Sequence, residues 1–86
     1  MEAGIRTQRA RVLVIDDQQF MLTALEAQLK MRDISCQKCE GGLNATMLVQ
    51  EMISNREPPF KVVLCDFSMP KQDGPTTVKI IRQLYK

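Results

Sequence analysis

Residues 62–74 read VVLCDFSMPKQDG. Four apolar residues stop on one acid, Asp66, and the chain then breaks into a stretch holding Met69-Pro70 and Asp73-Gly74. A short apolar run bounded by turn residues is the pattern of a buried strand that surfaces into a loop. The pattern has a counterpart upstream, where Arg11 leads into Val12-Leu13-Val14-Ile15 and Asp16-Asp17 ends the run. These two runs look like the most buried strands of the chain, and what lies between and after them decides the fold class.

From Gln18 the period changes. Leu22, Leu25 and Leu29 recur at helical spacing, Ala24 and Ala27 are good helix formers, and Lys30 and Arg32 suit a C-terminal end. A helix of about four turns is predicted. Residues 34–39 alternate weakly and read as a short edge strand before a Gly41-Gly42 turn. A second helix, roughly 43–54, is predicted to bury Leu43, Met47, Leu48 and Met52, with Asn55 and Pro58-Pro59 stopping it. After the loop that follows Asp66, Gly74 is expected to take a turn conformation and Pro75 a first helical position. Val78, Ile81 and Tyr85 then repeat along a third helix. Strands alternating with helices imply right-handed crossovers and a parallel sheet covered on both faces, an α/β fold.

The chain has 86 residues, enough for one small domain, and its 44% hydrophobic and 26% charged residues argue against intrinsic disorder. Residues 1–10 are polar and pattern-free and are expected to form a flexible tail, with Arg6, Arg9 and Arg11 at its end. Twelve Lys and Arg against ten Asp and Glu leave a charge of +2, too balanced to imply nucleic acid or an anionic membrane as partner. No run approaches the roughly eighteen apolar residues of a membrane span. MEAGIRTQRAR also lacks the apolar stretch of a signal peptide, so a cytoplasmic location is expected.

Three cysteines, an odd number, fit a reducing compartment rather than a disulfide scaffold. Cys36 and Cys39 form a CxxC, but it falls in a predicted strand instead of opening a helix. With no His to complete a zinc site, these thiols read as packing groups. The six methionines are expected to pack as well. Residues 66–74 lack the alternating ligands of a calcium-binding loop.

In an open parallel sheet ligands bind beyond the carboxyl ends of the strands, where strand order reverses. Both apolar runs end in aspartate at that edge. If the two strands are neighbours, Asp16, Asp17 and Asp66 share one small pocket, where three carboxylates repel one another unless a cation joins them. Oxygen donors without His suit magnesium better than zinc. Taken alone, Asp16 with Gln19 could be a capping box that opens the first helix. The matched placement of acids at two strand ends favours a functional acidic site.

VLVIDDQQF followed by KVVLCDFSMPKQDGPTTVKIIRQL resembles the receiver domain of two-component response regulators and hybrid histidine kinases. An acidic pair after the first strand, a lone Asp after the third, then Met-Pro and Asp-Gly carry the resemblance, which covers residues 11–86. It implies a flavodoxin-like, three-layer fold with about three strands in the order 2-1-3 and three helices. It implies phosphorelay signal transduction rather than enzyme activity: Asp66 is the phosphoacceptor, taking a phosphoryl group from the phosphohistidine of a histidine kinase or phosphotransfer protein and becoming an aspartyl phosphate. Mg2+ is implied as cofactor, bound directly by Asp17, chiefly through water by Asp16, and by Asp66 and the backbone carbonyl of Ser68. Met69-Pro70 and Asp73-Gly74 then read as loop architecture, with Gly74 supplying backbone freedom.

Receivers similar to this chain carry a fourth and a fifth strand, with a Ser or Thr and a Lys that contact the phosphoryl group. The chain reaches Lys86 without them, so the fold is expected to be incomplete. Lys61 sits at the wrong end of its strand to substitute, whereas Lys71 lies on the loop beside the phosphoacceptor. With 62–65 as a sheet edge, a strand-edge partner or self-association is expected. An alternative function is a non-phosphorylated remnant acting only as a protein-interaction module.

Overall fold

The computed structural model describes residues 12–86, and the expected tail with its three arginines lies outside them. Three parallel strands, β1 (Val12–Asp16), β2 (Cys36–Glu40) and β3 (Val62–Cys65), form one sheet in the order β2-β1-β3. These are the first three positions of the flavodoxin-like order, as the sequence implies. The helices are α1 (Gln19–Lys30), α2 (Gly42–Ser54) and α3 (Gly74–Leu84). In register, Val12 lies between Cys36 and Val62, Ile15 lies between Cys39 and Cys65, and Asp16 is level with Glu40.

β1 is buried along its whole length because it is the central strand and both of its faces are covered. Alternate side chains point to opposite faces. Leu13 and Ile15 enter a core with Ala45, Val49 and Met52 of α2, Ile81 of α3, and the loop residues Phe60 and Met69. Val12 and Val14 pack under Leu22, Leu25 and Leu29 of α1, with Cys36 beside them. Full burial of a side chain such as Leu13 or Ile15 contributes about 1.5–3 kcal/mol.

Several expectations need correcting. β2 begins at Cys36, two residues later than the alternation indicates, and Ile34 is exposed. In α2 the buried residues are Gly42, Ala45, Thr46, Val49 and Met52, with Leu48 partly buried, whereas Leu43 and Met47 face outward. Both sets have helical spacing, and the set with Gly42 and Ala45 wins because small residues let α2 approach α3: a Cβ on Gly42 would collide with Thr77 Oγ1. Met52 and Met69 pack in the core, while Met21, Met31 and Met47 are exposed, so packing does not account for those three. β3 is less buried than its composition indicates. Its Val62 and Leu64 are 48% and 40% exposed, because α1 lies over β1 and β2 and makes no contact with β3.

Candidate functional site

The acidic edge is assembled by backbone before side chains enter. Asp16 is the last residue of β1, and its carbonyl accepts the Gly41 N–H at 3.1 Å, tying the end of β2 to the end of β1. Its side chain accepts the Gln18 N–H at 3.0 Å, the local bond by which an aspartate turns the backbone out of a strand. The capping box is therefore absent. Gln18 is the N-cap of α1 without a side-chain bond, and Gln19 donates instead to Glu40 Oε1 at 3.2 Å.

Asp66 is placed by a continuation of the sheet. Its N–H donates to the Ile15 carbonyl at 2.9 Å, one residue past the end of β3, so the two strand ends are held side by side. The loop then folds back, and the Gly74 N–H donates to the Phe67 carbonyl at 2.8 Å. A Cβ on Gly74 would collide with the Asp66 carbonyl oxygen and lie 2.9 Å from Phe67 Cα. Gly74 is the first residue of α3 and has no positive φ, so it supplies space for the loop that follows Asp66 rather than the backbone freedom expected of it. The left-handed backbone in this region belongs to Gly41 (φ 90°) and Lys71 (φ 72°). Met69 is buried in the core and anchors the loop, a part that its Met-Pro context did not reveal.

At the start of α3, Asp73 is the N-cap, accepting the Thr76 N–H at 2.9 Å, and Pro75 takes the second helical position, one later than expected, because Gly74 already belongs to the helix. Hydrogen bonding from Thr76, its side chain first and this backbone N–H second, holds the exposed Asp73 carboxyl below its ordinary range. Behind it Thr77, fully buried, donates to the Asp73 carbonyl at 2.8 Å and accepts from Gln72 Nε2 at 3.1 Å. These bonds satisfy the polar groups of a loop packed against Gly42.

Asp16, Asp17 and Asp66 each bring a carboxylate oxygen within 4.8 Å of the others, Asp16 buried and the other two half-buried. The three predicted acids are therefore together. All donors are oxygen, and the chain has no His. Cys65 stands next to them, its Sγ donating to the Asp66 carbonyl oxygen at 3.4 Å. Burial first, then the charges of Asp66, Asp16 and Asp73, push this thiol up from its ordinary value. Such a donor set fits a hard divalent cation such as Mg2+. Ser68 is exposed, two residues beyond Asp66 on the same loop.

A cavity of about 290 Å³ opens next to Asp17, and Glu40, Pro70 and Lys71 also line it. Glu40 was missed in the sequence. Its signal was available, because a parallel β2 ending level with Asp16 must deliver its last side chain to the same edge. Lys71 lines this cavity, whereas Lys61 precedes β3 and lies at the far end of that strand from Asp66. Cys36 and Cys39 sit three residues apart on β2 and pack into opposite layers, which separates their thiols across the sheet. Burial pushes both up from the ordinary thiol value.

Among the described residues no helix is long and apolar enough to cross a membrane. The chain is 32% identical over 84 residues to a protein named Histidine kinase CKI1 from Arabidopsis thaliana, in a match covering 88% of this chain and 8% of that protein. It thus spans a small fraction of the relative's length. The family description "Response regulator receiver domain" matches residues 12–86. With its 2-1-3 sheet and its three acids at one edge, the chain belongs to the response regulator receiver domain family of two-component signalling, whose members are phospho-accepting modules rather than catalytic enzymes.

Proposed function

We propose that Asp66 accepts a phosphoryl group from a phosphohistidine of a histidine kinase or phosphotransfer protein, with Mg2+ held by Asp16, Asp17, Asp66 and the backbone carbonyl of Ser68. The observation that carries this reading is the convergence of three carboxylates within 4.8 Å at the carboxyl edge of β1 and β3. A carboxylate oxygen of Asp66 attacks phosphorus, the P–N bond to the donor imidazole breaks, and its electron pair returns to the ring nitrogen, which takes up a proton. The product is an acyl phosphate on Asp66.

When bound, the cation neutralises the carboxylates and the transferring phosphoryl oxygens. Everything else is positioning, supplied by this chain. The Asp66 N–H to Ile15 bond fixes the nucleophile's backbone, and the Gly74 contact keeps its loop folded against α3.

Intact-mass measurement after incubation with Mg2+ and a small phosphodonor tests this, on the wild type and Asp66→Asn. One phosphoryl increment on the wild type, lost on addition of a chelator and absent from the variant, supports transfer to Asp66. No increment on a folded wild-type chain favours a module that acts only by protein binding.

A further inference from the structure

We propose that two copies of this chain pair through the outer faces of α1, antiparallel about a two-fold axis, with Phe20 of each against Met31 of the other and Ala24 against Ala27. Leu22, Leu25 and Leu29 turn one side of α1 onto the sheet, where it meets β1 and β2. At about 100° per residue, Phe20, Ala24, Ala27 and Met31 fall within an arc of about 60° on the opposite side. All four are exposed, Phe20 by 68% and Met31 by 86%. Met31 is the C-cap and keeps a helical backbone, so the stripe runs the whole length of the helix.

The outermost face of a surface helix is ordinarily its polar one. Here it is apolar, and steps of four, three and four residues are those of a seam between helices. The exposure is set by the rotation of α1 itself. A helix lying beside it on the same sheet would meet its flanks and leave this stripe bare.

The stripe complements itself. Phe20 and Met31, like Ala24 and Ala27, lie symmetrically about the peptide between Leu25 and Glu26. In an antiparallel pair centred there, the large side chains meet at the two ends. The alanines in the middle let the helix axes approach to about 8 Å.

Charge selects a second copy and its direction. The start of α1 is acidic, since Asp17 precedes it and Gln19 donates to Glu40 Oε1. The end of α1 carries the exposed cations Lys30 and Arg32. Lys30 lies about three turns after Gln19 on the same flank, and like flanks meet in an antiparallel two-fold pair. Each Lys30 therefore comes level with Met21 of the second copy, close to its Gln19 and Glu40. Glu26, in the middle of that flank, is already held by Lys38 of β2 at 3.0 Å. A parallel copy would instead set Lys30 against Lys30 and acid against acid.

α1 is only about 18 Å long, so the contact is smaller than the roughly 800 Å² per partner of a stable complex. Pairing is accordingly weak and visible only at high concentration. Sedimentation of the 86-residue chain from micromolar to millimolar concentration tests it, with backbone amide shifts followed over the same dilution. The expected result is a shift from 9.8 kDa towards twice that mass, with the concentration-dependent amides confined to α1. Ala27→Glu, a helix-forming residue on an exposed position, is expected to abolish the shift while the circular dichroism spectrum stays that of the wild type. Lys30→Glu is expected to weaken pairing severalfold at low salt. A monomer throughout the range overturns the proposal. So does a dimer whose changing amides lie outside α1, or one that persists in a folded Ala27→Glu chain. An unchanged affinity in Lys30→Glu overturns the antiparallel arrangement. The amide map of the wild type decides the interface even if a variant fails to fold.

Discussion

Replacing Asp17 by Asn keeps the shape of the acidic edge and removes one of its three charges. If the cluster holds Mg2+, the cation binds the folded chain and stabilises it by mass action, by about 1.4 kcal/mol at ten times the dissociation constant. Thermal unfolding with and without Mg2+ is expected to show this gain in the wild type and to lose most of it in Asp17→Asn. An equal gain in both chains would place the metal elsewhere. Asp16, Asp17 and Asp66 were all legible in the sequence, because an acid directly after an apolar run has one obvious position in a parallel sheet. Gly74 was only half legible. Its place after Asp73 is a turn signal, but the need for a missing side chain comes from the Asp66 carbonyl eight residues back, and no local pattern carries that contact.

At the scale of elements, α3 starts on an exposed carboxylate whose ionised form is favoured by its bond to Thr76. A folded-state pKa below the unfolded one contributes stability above the unfolded value, and that contribution is lost as pH falls through the folded value. Asp73→Asn, which keeps an N-cap acceptor without a titrating carboxyl, is expected to flatten this acid limb in urea unfolding followed against pH. An unchanged limb would remove Asp73 as its source. For α2, Val49→Ala is expected to destabilise by about 1 kcal/mol or more, whereas Met47→Gln stays within roughly 0.5 kcal/mol. Denaturant midpoints of the two variants check the buried face directly. The helix itself was readable from period and stop signals, but its face was not. Leu43 and Met47 fit the same period as Ala45 and Val49, and only the close approach to Thr77 at Gly42 chooses between them. The CxxC was read correctly as packing, since residues three apart on a strand lie on opposite faces.

For the molecule as a whole, the alternation of apolar runs and helical periods was enough to give strand count and direction, and the resemblance to receiver domains implied the 2-1-3 order. Exposure was harder to read. Val62 to Cys65 has the composition of a core strand, yet it lies at the edge of the sheet, beyond the reach of α1, and sequence composition does not report neighbours. Glu40 escaped notice for a related reason, since its place beside Asp16 depends on the register of β2. If the edge joining these strands makes Asp66 a phosphoacceptor, phosphodonor treatment leaves an acyl phosphate at that position. Borohydride reduction of the phosphodonor-treated chain, followed by peptide mapping, tests it most directly, because an acyl phosphate on aspartate is reduced to homoserine. The expected result is homoserine at position 66, formed only when Mg2+ is present. Reduction at another aspartate, or a phosphoryl group on a hydroxyl side chain, would contradict it.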